Sequence, residues 1–168
     1  MKPVDLQYMN KAYLLIGGNM GNRKQNLGRA IRLLALQGAV MTQSGLYETE
    51  AWGKTDQAAF LNQALRLDTN LPARDLLLAV LAIEEEMGRK REEKYGPRII
   101  DIDILFYNLD IIDEPGLSVP HPEIQNRRFA LEPMHEIAAT LVHPVLEKTI
   151  AELLSLCPDP LHVKRFLR

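Results

Sequence analysis

Asp101 and Asp103 stand in the run Ile99-Ile100-Asp101-Ile102-Asp103-Ile104-Leu105-Phe106, each carboxylate flanked by apolar residues. Successive side chains on a strand point to opposite faces, so both carboxylates would share one face, with Cα atoms roughly 7 Å apart. A pair at that spacing can bracket hard cations. Magnesium needs only one or two protein carboxylates, because water and substrate phosphate complete its octahedron. Alone, Asp-x-Asp also fits two solvated residues on an edge strand, although aspartate is depleted in strands. The preceding loop tips the balance. Gly88 to Arg98 holds Arg89, Lys90, Arg91, Lys94 and Arg98 against Glu92 and Glu93, a local charge of +3 in a chain of net charge −2. Cations beside a carboxylate pair suit a metal-bound polyphosphate, with guanidinium forks on its oxygens and the metal neutralising the remainder.

The common phosphate cradles fail on spacing. Gly53-Lys54-Thr55 looks like the end of a P-loop, but that motif needs glycine where Glu48 stands, and Gly17, Gly18 and Gly21 do not spell a dinucleotide fingerprint. His121 lies between Pro120 and Pro122, three residues after Ser118 and six before Arg127, so three polar donors fall in one proline-fixed segment. His135, His143 and His162 have no metal-ligand spacing. A planar heterocycle would need aromatic faces and a few amide or hydroxyl groups. Phe60, Phe129, Trp52 and Tyr95 are the aromatic candidates and Thr49 and Asn62 the polar ones, although Phe60 and Phe129 also suit an ordinary core.

The elements that position these residues follow from periodicity. Ala12 to Ile16 reads as a buried strand broken by a turn at Gly17-Gly18. A helix follows, capped by Asn22, with Leu27, Ala30, Ile31 and Leu34 on one stripe and Gly38 closing it in the left-handed conformation. Ala39 to Tyr47 and Phe60 to Thr69 read as strands. Pro72 opens a second helix after Leu71 at the cap; Leu76, Leu77, Val80, Ile83 and Met87 form its apolar face and Gly88 ends it. The next strand alternates Ile100, Ile102, Ile104 and Phe106 with Asp101, Asp103 and Leu105. Asp113 to Arg128 reads as a long irregular connection, of the kind that often carries function. Short helices are predicted around Phe129 to Glu136 and Leu146 to Leu156. Strand, helix, strand, strand, helix, strand is the split βαβ pattern: an α+β, ferredoxin-like fold, an antiparallel sheet with helices packed on one face and the other face free for loops and ligands.

The whole chain bounds the possibilities further. Its 168 residues, 46% hydrophobic and 25% charged, suit one compact domain spanning 1–168. A net charge of −2 and a pI near 6.1 oppose binding to a nucleic-acid backbone over a broad surface. Cys157 has no partner cysteine and reads as a small buried side chain. Met1 to Asn10 lacks the apolar stretch of a signal peptide, and Leu76 to Ile83 is far short of the roughly 20 residues of a membrane span. A soluble, cytoplasmic monomer without membrane or nucleic-acid partners is expected.

At these residues the chain resembles the 6-hydroxymethyl-7,8-dihydropterin pyrophosphokinase family over nearly its whole length. The likeness runs through Tyr13-Leu14-Leu15-Ile16-Gly17-Gly18-Asn19, Leu46-Tyr47-Glu48-Thr49, Phe60-Leu61-Asn62 and Gly88-Arg89-Lys90-Arg91. It continues through Tyr95-Gly96-Pro97-Arg98-Ile99-Ile100-Asp101-Ile102-Asp103, Val119-Pro120-His121-Pro122 and Asn126-Arg127-Arg128-Phe129. The resemblance implies transfer of the β,γ-diphosphate of ATP to the hydroxymethyl group of the pterin, with release of AMP, in folate biosynthesis. It implies two magnesium ions on Asp101 and Asp103, and catalytic roles for these two with Arg89 and Arg91. It implies ATP contacts from Glu84, Arg89, Arg91, Arg98, Ser118, His121 and Arg127. The pterin site would comprise Thr49, Trp52, Phe60, Asn62, Tyr95 and Phe129. Glu50, Leu81 and Gly116 depart from the family's pattern at the pocket edge and nucleotide contacts. The competing reading is a ferredoxin-like nucleic-acid-binding module without catalysis, which requires exposed aromatics on a basic sheet face. Metal-dependent phosphodiester hydrolysis shares the Asp pair and leaves the aromatic set unexplained.

Overall fold

The computed structural model describes residues 9–51, 56–90 and 96–167. Strand β1 (Asn10–Gly18) leads into helix α1 (Arg23–Leu34). The Asn22 side-chain oxygen accepts the Gln25 N–H at 3.1 Å, satisfying one of the N–H groups that a first turn leaves without an acceptor. Gly38 does not close this helix. Ala35 caps it in the right-handed conformation, and Gly38 instead passes so near a later strand that a Cβ there would collide with the Asp68 carbonyl oxygen.

The strand predicted from Ala39 to Tyr47 is two strands, β2 (Ala39–Gln43) and β3 (Leu46–Thr49). Between them the Ser44 hydroxyl donates to the Gly45 carbonyl and accepts the Ala64 N–H, so a side chain replaces one rung of the ladder. Strand β4 (Phe60–Thr69) has the predicted bounds. Helix α2 (Ala73–Glu86) starts with Pro72, not Leu71, at its cap, and Gly88 stops it at a φ of 86°, a left-handed angle that glycine adopts without a Cβ clash. Strand β5 (Asp101–Tyr107) follows the basic loop. The 113–128 connection is more ordered than predicted. It contains most of a hairpin, β6 (Ile112–Glu114) and β7 (Leu117–Val119), then a cis Val119–Pro120 peptide and one 3-10 turn at Ile124–Asn126. Helices α3 (Arg128–Ala138) and α4 (Ile150–Leu156) come next, the second begun by a Thr149/Glu152 capping box. Strand β8 (Val163–Phe166) had no counterpart in the sequence reading.

The main sheet runs β5-β1-β4-β3-β8, antiparallel throughout, with β2 also paired to β4. The order β5-β1-β4-β3 is that of the ferredoxin-like split βαβ unit. Its two helices lie on one face as predicted: Leu27, Leu34, Leu76 and Val80 pack on Leu14, Ile16 and Leu65. Helices α3 and α4, outside that unit, cover part of the opposite face, where Leu131, Met134, Ile150 and Leu153 meet Leu15, Ala64, Leu105 and Phe106.

A bulge explains why Phe106 is there. Ile104 pairs with Leu14 and Phe106 with Tyr13, which leaves Leu105 as an extra residue and ends the predicted alternation. Both Leu105 and Phe106 therefore enter the α3–α4 core, and each is at most 2% exposed. Cys157 is buried beside them, as predicted. Among the described residues no helix is long and apolar enough to cross a membrane. The part of the second sheet face left open is the end at which β1 finishes and β4 and β5 begin.

Candidate active site

Sheet register assembles the site. Gly17 of β1 stands between Asn62 on β4 and Asp101 on β5; Leu15 stands between Ala64 and Asp103; Thr49 on β3 pairs with Phe60. Residues two apart on a strand share a face, so Phe60, Asn62, Asp101 and Asp103 all project from the same side of the sheet. A Cβ at Gly17 would collide with Asn62 Oδ1, and one at Gly18 with the Ile99 carbonyl oxygen. These glycines are strand residues that admit close neighbours, not the predicted turn.

The resulting cavity has a volume of about 480 Å³. Small-molecule sites span roughly 300–1,000 Å³. Thr49, Phe60, Asn62 and Phe129 line it together with Asp101 and Asp103. Glu84 and Arg89 enter from the end of α2, Arg98 from the loop before β5, and Ser118, His121 and Arg127 from the segment that follows β5. Every predicted site residue within the described parts thus reaches one cavity. Trp52, Arg91 and Tyr95 lie outside the described residues.

Charge is tightly paired at the centre. Asp101 Oδ1 accepts Arg89 Nη1 at 2.6 Å, and its Oδ2 accepts Arg98 Nη1 at 3.0 Å. Arg89 Nη1 also donates to Glu84 Oε2 at 2.7 Å, while Glu84 Oε1 accepts the Ile102 N–H at 2.9 Å. Since β5 is an edge strand, that N–H points away from β1 and would otherwise lack an acceptor. Burial opposes the charge on Arg89, but the carboxylates of Asp101 and Glu84 outweigh it and hold the pKa above its ordinary value. Burial, and then the charge of Asp101, push the Asp103 carboxyl up to about 7 against the opposing pull of Arg127. Burial, and then Arg127, bring His121 down to about 4. Its Nδ1 accepts the Glu123 N–H at 3.1 Å, so the neutral ring carries its proton on Nε2 as a donor.

Arginines also tie the charged centre to the aromatic walls. Arg98 Cζ lies 5.4 Å from the Phe60 centroid and Arg127 Cζ 5.8 Å from that of Phe129, within cation–π range. Arg98 is fixed by a residue that the sequence reading did not single out. Asn19, 7% exposed, accepts the Arg98 N–H at 2.9 Å, returns its own N–H to the Arg98 carbonyl at 3.0 Å, and donates Nδ2 to Gln57 Oε1 and the Ala58 carbonyl. Its place directly after two close-packed glycines was the available signal. Leu77 and Leu81, four residues apart on α2, join Leu117 on an apolar wall near Gly116. Leu77 packs against the core as predicted and, one residue off the Leu76–Val80–Ile83 line, also lines the cavity half-buried.

Two carboxylates suit a hard, hydrated cation. Burial first and the Asp101 charge second raise the Asp103 pKa, and a divalent ion would relieve that like-charge repulsion. Among the described residues no group of three or more His, Cys, Asp or Glu side chains forms a closed cage, so water and phosphate oxygens would supply the remaining ligands, as magnesium prefers.

The sequence model of the 7,8-dihydro-6-hydroxymethylpterin-pyrophosphokinase (HPPK) family matches residues 13–139, more than half of the chain. The chain belongs to this family. Relatives named 2-amino-4-hydroxy-6-hydroxymethyldihydropteridine pyrophosphokinase include one from Aquifex aeolicus, 40% identical over 86% of this chain and 90% of its own length. Another, from Bacillus subtilis, is 43% identical over 76% of this chain and 78% of its own length. Among solved structures, a Plasmodium falciparum HPPK-DHPS triple mutant superposes on 92% of this chain with a TM-score of 0.73 at 20% identity, which shows a shared fold. This chain spans 46% of that longer chain. The HPPK fold is the ferredoxin-like one read from the order of elements.

Proposed function

We infer that the protein transfers the β,γ-diphosphate of ATP to the hydroxymethyl group of 6-hydroxymethyl-7,8-dihydropterin, releasing AMP and activating the pterin for folate biosynthesis. One observation carries the reading: Asp101, Asp103, Arg89, Arg98, Arg127, Phe60, Phe129 and Asn62, all implied by family resemblance, line a single cavity of ligand size. Asp101 and Asp103 would hold two magnesium ions, which when bound neutralise phosphate charge. Arg89, Arg98 and Arg127 grip phosphate oxygens, and His121 donates from Nε2 without adding charge. Arg91 belongs to the same basic loop. Glu84 has its oxygens on Arg89 and the Ile102 N–H, and acts by fixing Arg89.

At the other end Phe60 and Phe129 flank the pterin and Asn62 and Thr49 bond its edge; the family resemblance adds Trp52 and Tyr95 to the pterin contacts. The pterin hydroxyl oxygen attacks the β-phosphorus in line, the bond from that phosphorus to the bridging oxygen breaks, and AMP leaves with that oxygen. Asp103, or an oxygen it orients, is the candidate acceptor of the hydroxyl proton, since its carboxylate lines the cavity beside Asp101. The remaining catalysis is positioning and charge stabilisation. The protein acts as a cytoplasmic monomer, a single domain over 1–168. A nucleic-acid module finds no support, since α3 and α4 cover much of the sheet face it would use and Asp101 and Asp103 occupy the rest.

The test is to incubate the protein with ATP, magnesium and 6-hydroxymethyl-7,8-dihydropterin and to follow AMP and ADP separately. Pterin-dependent AMP with a diphosphorylated pterin is the expected result. ADP formation would mean ordinary phosphoryl transfer and overturn the reading.

A further inference from the structure

The chain after α4 turns back to the cavity. Helix α3 starts at Arg128 with no side-chain cap of its own, because Arg127 occupies the cap position and makes no capping bond. Asp159, 6% exposed, supplies the acceptor from far along the chain: its Oδ2 takes the Arg128 N–H at 3.1 Å and its Oδ1 the Leu161 N–H at 3.0 Å. Arg128 returns two bonds, Nε to the Asp159 carbonyl at 3.2 Å and Nη2 to the Cys157 carbonyl at 3.1 Å. A carboxylate at a helix start is favoured by the free N–H groups and by the helix dipole. Three residues later the His162 carbonyl accepts the Thr49 hydroxyl proton at 3.0 Å, and β8 then pairs with β3 from Val163 to Phe166.

Both fixed elements carry cavity residues. Arg127 and Phe129 flank Arg128, and Thr49 is 3% exposed in the cavity wall. Thr49 has one hydroxyl proton, and with it committed to His162 the oxygen offers only lone pairs to a ligand. Arg89 and Arg98 are held differently, through Glu84, Asp101, Asn19 and Gly96. The family model ends at residue 139, so this segment lies beyond the stretch that carries the family's sequence pattern.

We propose that residues 157–166 are a positioning arm for the heterocycle end of the cavity: Asp159 holds the Arg127–Phe129 corner, and the His162 carbonyl makes Thr49 an acceptor for an N–H of the bound pterin. The proposal rests on the pterin reading given above. Its test compares Asp159→Ala with Asp159→Asn, which keeps an acceptor oxygen, by steady-state kinetics in each substrate and by thermal unfolding. Asp159→Ala should raise the pterin KM about tenfold and the ATP KM by no more than about threefold, because ATP retains Arg89 and Arg98. Asp159→Asn keeps one acceptor oxygen for two donors, the Arg128 and Leu161 N–H groups, and should recover part of the pterin KM. Equal rises in both KM values, an unchanged pterin KM in folded Asp159→Ala, or no recovery in Asp159→Asn would each overturn the arm. Should Asp159→Ala fail to fold, Arg128→Met removes the two side-chain bonds to the arm from a more exposed position and must show the same pterin-selective rise. Parent protein that makes no pterin-dependent AMP would refute the functional reading itself; active parent with an unaltered pterin KM in the variants refutes only the arm.

Discussion

Glu84 offers a sharp test of how the charged centre is built. It is 3% exposed, and among the described residues its side chain accepts from Arg89 Nη1 at 2.7 Å and the Ile102 N–H at 2.9 Å. Glu84→Gln keeps size and shape but provides one oxygen where two are in use. Whichever way the amide turns, its NH2 faces Arg89 or the Ile102 N–H, and one buried donor loses its acceptor. Such a loss costs about 1–3 kcal/mol, with charged donors toward the upper end. Orphaning a buried charge altogether costs about 3–5 kcal/mol, but Arg89 keeps Asp101 at 2.6 Å. The expected loss is therefore about 2 kcal/mol, or roughly 4–8 °C in Tm for a domain of this size. Urea unfolding should show a lower midpoint at unchanged m-value. A cycle with Arg89→Met should give a coupling of about 1 kcal/mol or more, since the pair is in direct contact. A loss under about 0.5 kcal/mol, or singles that simply add, would refute the view that Glu84 anchors Arg89 to β5.

The acidic pair and the two glycines make separable predictions. Asp101→Asn should cut turnover by about 10²–10³ or more with the fold intact, read as AMP formation alongside circular dichroism, and near-normal turnover would remove Asp101 from the centre. Gly17→Ala meets only the movable end of Asn62 and, more mildly, the Leu61 carbonyl, so it should raise the pterin KM about tenfold at a stability cost under about 1 kcal/mol. Gly18→Ala meets the Ile99 backbone instead and should cost about 1–3 kcal/mol in urea unfolding. His121 titrates near 4 when folded and near its ordinary 6.5 when unfolded, so between these values the unfolded chain binds the extra proton. Stability should therefore fall as pH drops from 6.5 toward 4, and His121→Gln should flatten that slope in pH-dependent unfolding while keeping a side-chain N–H donor.

Local signals were enough for much of the frame. Asn22 caps α1 because its side chain bonds a residue three positions on, and β4 keeps its predicted bounds because a long apolar run between polar loops has few other choices. Asp101 and Asp103 share a face through the pleat alone, so their pairing was legible from spacing. Glu84 was legible only through resemblance to a family; Arg89 and Arg98 stood out in the basic loop and His121 and Arg127 in one proline-fixed segment, but no periodicity connects these separate elements in one cavity. The misses at β8, at the β5 bulge and at Gly17-Gly18 depend on partners far along the chain. Strand β8 is a short polar run, Val163-Lys164-Arg165-Phe166, that becomes a strand because β3 has a free edge. The bulge at Leu105 exists because β5 must match β1 and also send Phe106 into the α3–α4 core. Gly17 and Gly18 looked like a turn because glycine has no local signature that distinguishes bending from close approach; what they admit, Asn62 and Ile99, is set by the sheet. Local pattern was sufficient for the helices, the central strands and the carboxylate pair, because those depend on residues within one or two turns or pleats. Folding in three dimensions alone chose the acceptors that hold Arg89, Arg98 and Thr49, because a hydrogen bond is specified by position in space, and the Glu84, Asn19 and His162 oxygens lie 5, 79 and 113 residues away in the chain.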